Sequence, residues 1–175
     1  MDIGFVLSNT AALSELLYSS PFGIVLLFLF TVFANASLFF PILVEPIVFA
    51  VSAFAPNLIV ALLIGVVTGT AAAIGEMAGY IFGMFGVKTL QRFDEKRVEK
   101  IFEMGEKLAN RGIPIIFLGS FTPFPFDIIG IAAGLIRYDP KKFFFAALLG
   151  KVLRYTIIAV AGFFGAVWIK AWLGM

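Results

Sequence analysis

The chain has no cysteine and no histidine. Without cysteine there is no disulfide scaffold, and without either residue the usual zinc sites lose their donors. Lacking imidazole, the chain cannot use histidine as a haem ligand or as a general base. Charge is scarce as well. Only 13 basic and 11 acidic side chains occur in 175 residues, or 14%, against about a quarter in a typical soluble domain. Too few polar side chains remain to cover a globule in water. No Lys or Arg precedes Lys88, so the N-terminus does not read as a cleavable signal peptide, which needs a basic leading region. What the chain has in excess is apolar: 61% of its residues are hydrophobic, 22 are Phe, and the mean hydropathy is +1.04. Its main solvent is therefore lipid, and its length suits one domain.

The charge is also unevenly placed. Residues 88–111 hold seven basic and five acidic side chains, whereas residues 1–87 hold only Asp2, Glu15, Glu45 and Glu76. A polar block thus divides two apolar halves. Its bases are interleaved with acids, which argues against nucleic-acid binding. A spanning helix needs about 20 mostly apolar residues, and three segments reach that length: 21–40, 57–87 and 143–169. Pro21 suits a first helical turn, Asn57 an N-cap, and Asp139 an N-cap followed by Pro140. Two further apolar stretches, 41–55 and 113–136, contain breakers. The first has Pro41 and Pro46 around Glu45, and the second has Pro123 and Pro125 ahead of Asp127. Proline removes a backbone donor and pushes the preceding residue toward extended geometry. Broken helices survive at membrane depth only inside protein or beside water, so both stretches read as re-entrant hairpins.

The expected layout is a single transmembrane domain over residues 1–175. An N-terminal segment (1–20) precedes a first helix and hairpin (21–56) and a transmembrane helix (57–87). A cytoplasmic amphipathic helix (88–111), a second hairpin (112–137) and a last transmembrane helix (140–170) follow. The halves resemble each other. A shift of 82 lays Pro41 on Pro123, Glu45 on Asp127 and Ala50 on Ala132, and a shift of 83 lays Ala78-Gly79-Tyr80 on Ala161-Gly162-Phe163. Topology agrees. Basic residues gather on the cytoplasmic side, which puts both the 88–111 block and the Arg137, Lys141, Lys142 cluster inside, so the intervening hairpin enters and leaves on one face. The first hairpin then opens outward. The fold class expected is all-α, a multi-pass integral protein of the cell membrane with two inverted re-entrant-hairpin-plus-helix repeats, an arrangement that places sites near the midplane. Gly75, Gly79, Gly83 and Gly86 read as a helix-packing face, and Trp168 and Trp172 beside Lys170 as an outer interfacial anchor.

Five charged residues fall inside apolar segments: Glu45, Glu76, Asp127, Lys151 and Arg154. Each costs about 2.5–3.5 kcal/mol at a helix centre, so a functional reading is the default. Counting ~1.5 Å per residue from the inner helix ends, Glu76 and Lys151 lie at matching depths and Arg154 one turn deeper. Glu76 can therefore pair with Lys151 or with Arg154. Glu45 and Asp127 each follow a proline in a hairpin and, together with Glu76, suit a proton relay. Arg154 suits bidentate phosphate binding. Against these stand plainer readings, in which the cations only stitch helices together and the acids only stiffen hairpin tips. No cluster has metal-ligand character and no cofactor motif is present, including a Walker motif.

These residues resemble the DedA/VTT family, also called SNARE-associated Golgi protein-like. The resemblance rests on FPILVEP (40–46), EMAGYIFG (76–83), RGIP (111–114), FTPFPFD (121–127), AAGLIRY (132–138), KKFF (141–144), and GKVLRY (150–155) ahead of AGFFG (161–165). It implies paired re-entrant hairpins and transport of lipids: polyprenyl phosphates and others, with proton coupling, in bacterial members, and phospholipid scrambling in eukaryotic ones. The family's membrane-embedded acid carries over to Glu45. Two arginines of its better-known branch do not, since Ser120 and Phe126 stand at those positions. This marks a divergent branch in which Lys151 and Arg154 stand in for the missing cations.

The function expected is a lipid translocase, flippase- or scramblase-like with room for proton coupling, acting on phospholipid or polyprenyl phosphate. Membrane lipids are its partners, protons a candidate co-substrate and a second copy of the chain a candidate subunit. A proton-coupled transporter of a small solute and a non-catalytic membrane scaffold are the alternatives. Enzymatic chemistry is not expected: histidine-dependent hydrolysis is excluded, and Asp127 is the sole Asp in an apolar segment, which argues against a two-aspartate protease.

Overall fold

The structure is a computed structural model that describes residues 21–37, 44–85 and 95–173, with only the backbone for Pro21, Arg97 and 167–173. Pro41, Gly86, the start of the polar block (88–94), the N-terminal segment and the side chains of Trp168, Lys170 and Trp172 lie outside the described residues. Among those described there are six helices and no strand. The all-α class expected from the sequence is thereby met.

Helix α1 spans Pro21–Ala36. Its two buried polar side chains bond to their own helix, Thr31 Oγ1 donating to the Leu27 carbonyl and Asn35 Nδ2 to the Thr31 carbonyl. Its 16 residues rise only about 24 Å at ~1.5 Å each, short of the span expected for 21–40. Two described helices, not three, are long and apolar enough to cross a bilayer. Helix α2 follows at Val44–Ala53. Pro46 was expected to break a hairpin, yet it is the third residue of α2 and does not interrupt it. The first turn is where a missing N–H costs nothing.

Helix α3, Leu58–Met84, starts where Asn57 in extended geometry accepts a 3.0 Å bond from the Val60 N–H. Helix α6, Pro140–Leu173, starts where Asp139 Oδ1 accepts from the Lys142 N–H at 2.9 Å. The two run antiparallel, with Gly65 against Thr156 and Gly69 against Val152. The approach is so close that a Cβ on either glycine would lie 2.5 and 2.4 Å from the facing Cα. Other small residues of α3 serve other neighbours. Gly75 abuts Val32 and Asn35 of α1, while Gly79 and Gly83 abut Gly130 and Ile131.

Helix α4, Glu95–Phe121, bends at Arg111, whose backbone leaves the helical region three residues ahead of Pro114. Proline cannot donate to the carbonyl four residues back and its ring crowds that carbonyl. Before the bend, Ile101, Gly105 and Leu108 are buried while Glu99, Lys100, Glu103, Glu106 and Lys107 are exposed. The amphipathic helix therefore rests its apolar stripe on the protein, with Ile101 and Leu108 in one core with Ile129, Ala132 and Phe143. After the bend the helix runs to Phe121, and α5 (Phe126–Leu135) returns beyond Pro123 and Pro125.

Helix α5 runs in the same direction as α3, Gly130 lying by Gly79 and Gly134 by Tyr80 and Met84. Residues 126–134 are buried without exception. Its C-terminus is closed by two bonds, Tyr138 N–H to the Ala133 carbonyl and Arg137 N–H to the Gly134 carbonyl. This is a Schellman turn with Arg137 at φ 52° where glycine is usual. Each short hairpin helix thus packs on the long helix of the other half: α5 on α3, and α2 on α6, where the Phe49 backbone lies against Gly162.

Candidate functional site

Cations and acids inside an apolar body must find partners or be expelled. Lys151 lies eleven residues into α6 and Arg154 one turn further. From there they reach different acids.

The Lys151 ammonium donates to Glu76 Oε1 of α3 at 2.6 Å, and the two side chains retain 6% and 4% exposure. The same ammonium sits 5.2 Å from the centre of the Phe126 ring at the start of α5, a cation–π contact. Of the two cations open to Glu76, Lys151 is the one that pairs with it. The pair is sealed.

Arg154 turns toward the hairpins. Its Nη1 donates at 2.6 Å to the carbonyl of Thr122, and its Nη2 to Glu45 Oε1. Thr122 is the residue just before Pro123, where α4 has ended. Its carbonyl has no helical N–H to receive and takes the guanidinium instead. Glu45 lies in the first turn of α2. One side chain thus joins the first hairpin's helix to the break in the second. This pair is open, with exposures of 14% for Arg154 and 36% for Glu45.

Tyr155, the next residue, is fully buried and close enough to Glu45, Arg154 and Glu76 to feel all three charges. Asp127 is buried in the first turn of α5, where the positive end of the helix dipole favours a carboxylate. The structure therefore brings Glu45, Glu76, Lys151 and Arg154 around one stretch of α6. Pro123 and Pro125 stand at the α4–α5 break, and Asp127 begins the helix beyond it. Composition and spacing assign no role to the Tyr155 side chain, the Thr122 carbonyl or the aromatic face of Phe126, which the fold brings to the two cations. Ser120 bonds to the Phe117 carbonyl at 2.9 Å and lies against Gly150 of α6. Among the described residues, no three His, Cys, Asp or Glu side chains gather as a metal site.

Outside the membrane-spanning helices, the capping contact of Asp139 with the Lys142 N–H holds its carboxyl below the usual carboxylate range.

An all-helical body with two helices long and apolar enough to cross a bilayer fits a membrane protein. Its family follows from comparison. The VTT domain matches residues 40–164, most of the chain, which therefore belongs to that family, the one of DedA and the SNARE-associated Golgi proteins. The match takes in all five internal charges and Pro41, Pro46, Pro123 and Pro125. Neither the curated proteins nor the solved structures give a significant match.

Proposed function

We propose that the protein is a multi-pass lipid translocase of the cell membrane, moving phospholipid or polyprenyl phosphate without enzymatic chemistry. The observation that carries the reading is Arg154. It sits about 21 Å along α6, taking ~1.5 Å per residue, and is held at once by Glu45 and by the broken backbone at Thr122. A guanidinium at that depth is costly in lipid and matches the fork geometry of phosphate. The exposed Thr122–Pro125 segment beside it gives a headgroup a way in. Supporting an inverted repeat, α2 and α5 exchange long helices between halves. In this branch Lys151 and Arg154 take the place of the cations absent at Ser120 and Phe126. Lys151 faces Phe126 itself. Glu45 and Asp127 gate the path, with protons as the coupled species.

The test is translocation of labelled phospholipid or polyprenyl phosphate in liposomes holding the purified protein. The Glu45→Ala, Asp127→Ala double variant should lose transport. Equal rates for it and the wild type would sink the mechanism, and flux of a soluble solute without lipid movement would favour a solute transporter.

A further inference from the structure

Arg154 offers its two nitrogens to unlike partners. Nη1 meets a neutral carbonyl fixed by the backbone, and Nη2 meets an anion on a side chain. We infer that the Glu45 carboxylate occupies the seat on Arg154 that a phosphate monoanion takes in turn. Glu45 is then a built-in competitor, and the Thr122 carbonyl is the fixed point that aims the guanidinium while the anions exchange. The inference rests on the translocase reading for the source of the phosphate, not for the seat itself.

Three observations carry it. First, exchanging one anion for another keeps the half-buried guanidinium paired throughout, so the exchange never leaves the cation without an anion. Second, an exchange needs somewhere for the displaced carboxylate to go. Glu45 is 36% exposed on a helix that buries only Val44, Val48 and Ser52, so it can swing out, whereas Glu76 at 4% cannot. Third, the guanidinium fork accepts carboxylate and phosphate with the same geometry, so the Nη2 edge need not move when its partner changes. The ammonium of Lys151 offers no such divided edge, and its acid is enclosed.

The experiment uses the full chain in nanodiscs of zwitterionic lipid, with a fluorescent phosphatidic acid as the lipid probe and inorganic phosphate as the free-anion probe. Glu45→Gln should bind the lipid probe about tenfold more tightly than the wild type, the worth of one charge-assisted hydrogen bond no longer contested. Arg154→Gln should abolish the binding. Should that variant fail to fold, Arg154→Lys keeps the charge without the two-edged fork and should bind several-fold more weakly than the wild type. Equal or weaker binding by Glu45→Gln overturns the inference, since the carboxylate would then assist the phosphate or be irrelevant to it. Inorganic phosphate failing to displace the probe assigns the seat to a lipid headgroup, whereas displacement at matched concentration removes the lipid as its source. The two readings fail separately. Intact lipid translocation with unchanged binding by Glu45→Gln removes the competitor and leaves the translocase. Tighter binding without any translocation by the wild type does the reverse.

Discussion

Lys151 and Arg154 lie three residues apart on one helix, and their two ion pairs are built in opposite ways. Lys151 meets Glu76 in a closed contact between α3 and α6, with an aromatic ring as its further neighbour. Arg154 meets Glu45 at an edge, and its other nitrogen is held by a broken backbone. The difference follows from what surrounds each acid. Glu76 is carried by a helix whose glycines and alanines let α6 come close enough to exclude everything else. Glu45 is carried by a short helix with a single buried stripe. A sealed pair resists any change in partner, because each charge would be stranded by the loss of the other. An open pair can change partners. The closed contact is where this interior is held together, and the open one is where it can work.

The sharpest way to break this contrast is to remove one member of the sealed pair. Lys151→Ala should cost about 3–5 kcal/mol by stranding Glu76, read from thermal unfolding in detergent. Lys151→Met with Glu76→Leu should recover most of that loss. A Lys151→Ala variant no less stable than Arg154→Ala would erase the distinction. Next in size is the contact that does the sealing. Gly69→Ala should cost about 1–3 kcal/mol by forcing α3 from α6, whereas Gly79→Ala, whose Cβ would find ordinary contact at 3.8 Å from Gly130, should be tolerated in the same assay.

For the open pair the expectation inverts. Glu45→Ala should lower stability by less than about 1 kcal/mol yet change lipid translocation in liposomes. A large loss of stability with normal transport would make Glu45 a structural residue. The smallest effect concerns an acid outside both pairs. The folded-state carboxyl of Asp139 is held below its ordinary value by the Lys142 N–H. Its contribution is therefore present above that ordinary value and lost as pH falls through the lowered one. Asp139→Asn should flatten the acid side of an unfolding-midpoint profile slightly, and less so in high salt.

Much of the scaffold could be read from local chemistry. Asn57 and Asp139 announce two helix starts because capping is a matter of a few adjacent residues. The break at Pro123 and Pro125 is announced because proline acts on its own backbone. Choice of partner is different in kind. Helical rise places Lys151 and Arg154 both within reach of Glu76, and only the direction each side chain leaves α6 decides between them. The role of the Thr122 carbonyl was out of reach for a further reason: a backbone acceptor carries no residue type. Pro46 misled because a proline is a breaker or a starter according to where the helix begins. The apolar stripe of α4 gave its spacing but not its cover, since lipid and protein select the same residues. Nor does Arg137 signal its left-handed backbone, which the bonds from Tyr138 and Arg137 impose.

The exchange of long helices between halves bears on how the chain is made. Glu45 and Arg154 are 109 residues apart, and the helix that carries Arg154 is the last described. During synthesis α5 can settle on an α3 already in place, whereas α2 must wait for α6. Until Arg154 emerges, an acid stands in the young membrane segment without its cation. Among the described residues, the open pair is thus also the last ion pair to close, and a nascent chain stalled before Arg154 would display Glu45 without its cation.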